Sequence, residues 1–267
     1  MPYDGTRRQF VGKTLAVILA APAFALPGRA SSALPNMIRR VKPSIVAIGA
    51  FDRARSPAFG LRGTGFVLGD GNLVATNAHV VPESLSATGG ETRVVRIPAG
   101  GGESRQRTAK LFRVDKSHDL ALLKIEGPPL PPLSLSRETV SEGQDAAFIG
   151  FPIGAVLGLT PVTHRAIVSA ITPIVLPGAN ARQLTEKEIR RLKSGTFDIY
   201  QLDGTAYPGN SGGPLLNVET GEVIGIVNMV FVKGTKESVL SHPSGISYAI
   251  PVVYLRELLQ GAGEAAL

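Results

Sequence analysis

Apolar residues in this chain come in short runs broken by Gly, Pro, Asn or Asp. The first group reads SIVAIGAF (44–51), GTGFVLG (63–69), LVATNAHVV (73–81), TRVVRI (92–97) and DLALLKI (119–125). A second group reads DAAFIGFP (145–152), HRAIVSAI (164–171), FDIYQLD (197–203), GPLLNV (213–218), EVIGIVNMVFV (222–232) and ISYAIPV (246–252). Runs of this length between turn formers predict strands. The stretch between the groups, GPPLPPLSLS (127–136), is too proline-rich for a central strand and predicts a crossover between two halves of comparable strand content. Two helices interrupt the pattern. In QLTEKEIRRLK (183–193), Thr185 followed by Glu188 forms a capping box. In PVVYLRELLQ (251–260), Val252, Leu255, Leu258 and Leu259 share a helical face.

Composition narrows the class. Thirty-one glycines and twenty prolines in 267 residues, without a repeat, argue for many turns and an all-β chain rather than a helical bundle. With 43% hydrophobic and 18% charged residues the chain carries enough apolar surface to fold. It contains no cysteine, which excludes disulfides, thiolate metal sites and a cysteine nucleophile.

The amino terminus reads as an export signal over residues 1–25. Arg7-Arg8 and Lys13 precede an uncharged stretch from Thr14 to Gly28, too short to span a bilayer, with small residues at Ala23 and Ala25 where cleavage would follow. Pro22 and Pro27 speak against a buried helix here. Arg7-Arg8 with Phe10 resembles the twin-arginine class of bacterial signals, which implies a periplasmic or secreted protein with no stable membrane span once the signal is removed. The net charge of +7 is partly that of the signal. The densest basic cluster, Lys187, Arg190, Arg191 and Lys193, alternates with acids and lacks aromatic platforms, so it reads as a solvated helix face and no nucleic-acid partner is expected.

Three segments offer chemistry together. A serine hydroxyl needs a base to take its proton, a carboxylate to hold that base, and donors for the developing oxyanion. Tyr207-Pro208-Gly209-Asn210-Ser211-Gly212-Gly213-Pro214 sets a serine among glycines just before a strand. His79 ends the apolar run 73–81, where a strand gives way to a loop, and Asp119 enters the apolar strand Leu120-Ala121-Leu122-Leu123, where it needs a partner. Alone, each has a plainer reading as a turn serine, a core histidine or a turn aspartate. Asp115 and His118 lack the strand-entry position.

In the order His79, Asp119, Ser211, these segments resemble the chymotrypsin-like serine proteases. GTGFVLGDGNLVATNAHVV, DLALLKI and GNSGGPLLN are most similar to the bacterial HtrA (Deg) branch. The resemblance runs from Ser44 to Val253, and GISYAIPV belongs to it. It implies two perpendicular six-stranded β-barrels with a C-terminal helix, over 26–133 (with His79 and Asp119) and 134–267 (with Ser211). It also implies His79 as general base, Asp119 as its orienting carboxylate, Ser211 as nucleophile, and the N–H groups of Gly209 and Ser211 as oxyanion hole. No cofactor or metal is needed for such chemistry. Val227, Asn228 and Met229 would line the substrate strand. Thr205 stands where trypsin-type enzymes carry an acidic pocket floor, which disfavours Lys or Arg and points to small or medium apolar residues at the cleaved position.

Two departures bear on control. Asn210 takes the place of the aspartate that pairs with a newly cut N-terminus in digestive members, so activation by such cleavage lacks its anion. Segment 172–197 falls where a regulatory or substrate-contacting loop would be. No PDZ domain is expected after residue 260, and the trimers seen among HtrA relatives are carried only by the resemblance. The implied function is an exported serine endopeptidase acting on polypeptides, such as unfolded envelope proteins. The competing reading is a catalytically silent holdase or binding module on the same fold.

Overall fold

The computed structural model of the protein describes residues 33–81, 90–100, 103–153, 158–174, 197–228 and 246–261, with Met1 and Gly263. The chain divides into two compact units, Met1–Ser32 and Ala33–Leu267, and the architecture described is that of the second. The export signal, the 183–193 helix and Met229 lie outside the described residues.

Among the described residues, helix α1 (Ala33–Val41) is followed by twelve strands: β1 (Ile45–Asp52), β2 (Phe59–Leu68), β3 (Leu73–Asn77), β4 (Glu91–Gly100), β5 (Glu103–Asp115), β6 (Leu120–Ile125), β7 (Asp145–Gly150), β8 (Val162–Pro173), β9 (Asp198–Asp203), β10 (Pro214–Asn217), β11 (Val223–Asn228) and β12 (Ile246–Pro251). Helix α2 (Val252–Gln260) closes the fold. The strands form two closed antiparallel barrels, β1-β2-β3-β6-β5-β4 and β10-β11-β12-β9-β8-β7. Every strand expected from the apolar runs is present, and β5 is an addition.

Strand parity explains why most runs are apolar without a break. Successive side chains point to opposite faces, and both faces of the central strands are buried. In β1, Val46 and Ile48 fill the first barrel, while Ile45 and Ala47 face a layer shared with Ala147, Ile149 and Ile226 of the second barrel. β6 repeats the division, Ala121 and Leu123 inside and Leu120 and Leu122 in the shared layer. Phe148, Leu215 and Ala249 fill the second barrel. Met37 and Val41 of α1 and Leu255 and Leu259 of α2 cap the shared layer, so the two barrels are bound by one apolar stratum. Polar groups that enter it must find partners there.

The proline-rich stretch joins β6 to β7 as an extended crossover. Leu130 and Leu133 donate their N–H groups to Gly71 and Val67 of the first barrel, and Ser136 donates to Val223 of the second. The segment therefore staples both barrels while passing between them.

Candidate active site

Asp119 closes the loop of the β5–β6 hairpin, whose last pair is Asp115 with Leu120. Its φ of 54° lies in the left-handed region, which Asp tolerates better than most residues. The residue is 6% exposed, and its polar atoms are densely satisfied. The carbonyl accepts the Ala78 N–H at 2.9 Å and Asn77 Nδ2 at 3.1 Å. Carboxylate Oδ1 accepts the His79 N–H at 2.9 Å. Oδ2 accepts His79 Nδ1 at 2.6 Å and Asn228 Nδ2 at 2.7 Å.

His79 sits in the short 3₁₀ turn Ala78–Val80 at the end of β3. Its side chain is about one-third exposed. With Nδ1–H given to Asp119, Nε2 is the ring nitrogen left with a lone pair, which is the tautomer a general base requires.

Ser211 lies on a tight turn ahead of β10. Asn210 N–H donates to Tyr207 at 2.9 Å and Gly213 N–H to Asn210 at 3.0 Å. Gly209 has φ 105°, and a Cβ there would stand 2.1 Å from the Phe151 carbonyl oxygen. Gly212 has φ 84°, and its Cβ would meet the Thr64 carbonyl oxygen and Thr76 Oγ1 at 2.2 Å. Both positions admit glycine alone.

Neighbouring chains fix the turn from two sides. Thr64 of β2 donates its hydroxyl to the Gly209 carbonyl at 2.6 Å and its N–H to the Ser211 carbonyl at 2.8 Å. Ile153 N–H donates to the Pro208 carbonyl at 2.8 Å. In a trans peptide the N–H points opposite its carbonyl, so this bond turns the Gly209 N–H away from Ile153.

The two groups of residues meet across the barrels. The Cβ position at Gly63 is 2.7 Å from the Ser211 carbonyl oxygen and 2.7 Å from Cγ2 of Val80, the residue after His79. Gly212 N–H and Val227 N–H tie the serine turn to β11 and its neighbour through Val227 and Gly213 carbonyls, each at 2.9 Å, and Asn228 follows directly to reach Asp119. A buried carboxylate, an imidazole oriented by it and a serine on a glycine turn thus lie on segments that meet across the two barrels. A carboxylate, an imidazole and a hydroxyl are the groups that proton transfer from a serine requires.

The trypsin-like peptidase domain model matches residues 63–226. The chain belongs to the trypsin-like peptidase family, in its HtrA branch. It is 31% identical over 225 residues to human serine protease HTRA3, covering 82% of this chain and 42% of that protein. It is 33% identical over 192 residues to a DegP-like periplasmic serine endoprotease of Halomonas elongata, covering 71% of this chain and 32% of that protein. The chain therefore spans less than half the length of the curated relatives named here. In fold it resembles a serine endoprotease from Yersinia pestis, with TM-score 0.60 and 24% identity over 88% of this chain and 68% of the other.

The remaining site residues of this HtrA-branch chain fall as follows. Thr205 is half-buried in a turn held by Ser247, whose Oγ accepts Ala206 N–H at 2.7 Å and donates to the Gly204 carbonyl at 2.6 Å. Val227 and Asn228, expected along the substrate strand, are both fully buried. The Asn228 amide is committed to Asp119, a role the sequence reading did not assign. A buried amide at a strand end was the available signal, since it must bond to something. No sequence pattern marks Thr64 or Ile153, whose bonds are to backbone carbonyls far along the chain. Among the described residues no group of His, Asp and Glu is arranged to hold a metal ion, and no helix is long and apolar enough to cross a membrane.

Proposed function

We propose that the protein is an exported serine endopeptidase. Ser211 Oγ attacks a peptide carbonyl while His79 Nε2 takes its proton. The tetrahedral intermediate places its oxyanion against the N–H groups of Gly209 and Ser211. Collapse breaks the C–N bond, His79 returns the proton to the leaving amine, and an acyl-enzyme remains. Water then repeats the sequence, releasing the carboxylic acid and freeing Ser211. Asp119 holds the imidazole and stabilises its protonated form.

The observation that carries this reading is the Asp119 carboxylate, buried yet bonded at once to His79 Nδ1, to the His79 N–H and to Asn228. Burying an ionised carboxylate is costly, and here the cost serves to fix one imidazole beside a serine turn. A silent binding module would have no use for that arrangement.

Substrates are polypeptides with small or medium apolar residues at the cleaved position, since Thr205 supplies no anion for a basic side chain. Export through Arg7-Arg8 and the apolar run behind it places the enzyme in the periplasm or outside the cell, with unfolded envelope proteins as substrates and a trimer as the assembly drawn from HtrA relatives. The test is digestion of casein by the purified chain, followed by mass spectrometry of the new termini. Cleavage after small apolar residues, lost in Ser211→Ala, is expected. Cleavage that persists in that variant would refute the assignment.

A further inference from the structure

The loop that bears Asp119 holds a second acid–imidazole pair. The Asp115 carboxylate accepts Ser117 N–H at 2.9 Å, His118 N–H at 3.2 Å and the Ser117 hydroxyl. Its other oxygen accepts His118 Nδ1 at 2.6 Å. Burial alone would raise the Asp115 carboxyl, but the bonds from Ser117 and His118 outweigh it and hold the group below its ordinary value. The loop is thus closed on itself by one carboxylate, with His118 projecting from it one residue before Asp119.

The His118 ring lands on the second half of the molecule. It stacks on Tyr254 of α2 with centroids 4.2 Å apart and planes at 13°, and it meets Phe197 edge-on at 4.8 Å. Phe197 in turn meets Tyr254 edge-on at 5.3 Å. Both partners are anchored. The Phe197 carbonyl accepts Ile174 N–H at 2.9 Å, and Tyr254 is carried on α2 beside Leu255, which is buried in the shared layer. Burial raises the Tyr254 phenol, so the ring stays neutral.

His79 and Asp119 belong to one barrel and Ser211 to the other, so the distance between base and nucleophile depends on contacts that cross between barrels near Asp119. Asn228 is one such contact. We infer that His118 is a positioning residue: its ring, stacked on Tyr254 and edge-on to Phe197, sets the Asp119 loop, and with it His79, in register with Ser211. The inference rests on the serine-peptidase reading above. Through the one ring, a loop closed on Asp115 is also joined to the second half of the molecule.

The experiment compares His118→Ala and His118→Phe in the whole chain. Hydrolysis of fluorescein-labelled casein gives kcat and KM, and the downfield proton resonance of His79 Nδ1, recorded in the Ser211→Ala background, reports the base without turnover. In His118→Ala, kcat should fall about tenfold to hundredfold, the cost of a small misplacement of reacting groups, with KM unchanged and the resonance broadened by exchange with solvent. His118→Phe gives up the Nδ1 bond to Asp115, whose bonds from Ser117 and from the N–H of residue 118 still close the loop, but keeps the ring contacts, and should retain kcat within about threefold and a sharp resonance. The inference is overturned if His118→Ala keeps both kcat and the resonance, if its loss lies in KM, or if His118→Phe falls as far as His118→Ala. Should the wild type not cleave casein at all, the peptidase reading fails separately, and the resonance alone decides whether His118 positions His79.

Discussion

Asn228 reaches from the second barrel into the first, and its Nδ2 donates at 2.7 Å to the same Asp119 oxygen that takes His79 Nδ1. One carboxylate oxygen thereby couples the imidazole to the strand beside the serine turn. A hydrogen bond to a charged group contributes about 1.5–3 kcal/mol. Asn228→Ala should therefore lower kcat on casein by roughly tenfold to hundredfold. Asn228→Asp should lower it further, because it sets a second anion against Asp119. Steady-state rates of the two variants check this, and an Asn228→Asp enzyme faster than Asn228→Ala would contradict it.

Gly209→Ala places a methyl group where the Phe151 carbonyl oxygen already stands, 2.1 Å away, on a backbone that L-residues avoid. The turn must shift, and the Gly209 N–H shifts with it. Loss of one oxyanion donor costs roughly 10²–10³ in kcat. The variant should keep a native circular dichroism spectrum while losing rate to that extent. A rate within threefold of wild type would show that the Gly209 N–H has no such role.

Ile153 holds φ 53° while donating to the Pro208 carbonyl, and it is 36% exposed. Ile153→Gly keeps the donor and removes the left-handed penalty of about 1–2 kcal/mol, part of which the added freedom of the unfolded chain cancels. Urea unfolding in a Ser211→Ala background should show stability unchanged or higher by up to about 1 kcal/mol, with catalysis retained in the active form. Ile153→Pro removes the N–H and should lose catalysis.

His164 stacks on Phe148 at 4.7 Å and has Asn210 Nδ2 3.5 Å from its Nε2. Burial lowers its pKa from the ordinary 6.5. As pH falls through 6.5 the unfolded chain takes up this proton before the folded one, so the folded state loses stability until pH passes below the folded value. Arg165, next to it, pairs with Asp145 at 3.0 Å, and Tyr207 lies on its other side. His164→Phe should flatten the decline in urea midpoint between neutral and mildly acidic pH in the Ser211→Ala background. An equal decline in both proteins would exclude His164 as its source.

The sequence was most readable where strands are buried on both faces. β1, β3, β6 and β7 contribute one parity to a barrel interior and the other to the shared layer, so their apolar runs are unbroken. β5 was invisible for the opposite reason. Its ESRQRTAKLFRVD faces water along much of its length and only Ala109 is buried, so no apolar pattern marks it. α1 was passed over because only Met37 and Val41 of its nine residues are buried.

In the candidate site, His79, Asp119 and Ser211 stand out in the sequence by the strand and turn contexts around them. The supporting bonds do not, because Asn228, Thr64 and Ile153 act through partners 87 to 145 residues away in the chain or through a single backbone N–H. Asp115 and His118 lack the strand-entry position that marks Asp119, yet the structure bonds them to each other beside it.

The central claim is that Ser211 is a nucleophile activated by His79 and Asp119. The most direct measurement is intact-mass and peptide mapping of the purified chain after incubation with a fluorophosphonate, for wild type, Ser211→Ala and Asp119→Asn. One adduct per chain, located on Ser211, absent in Ser211→Ala and formed roughly 10⁴-fold more slowly in Asp119→Asn, is the expected result. An adduct at another residue, or an Asp119→Asn protein labelled as fast as wild type, would contradict it.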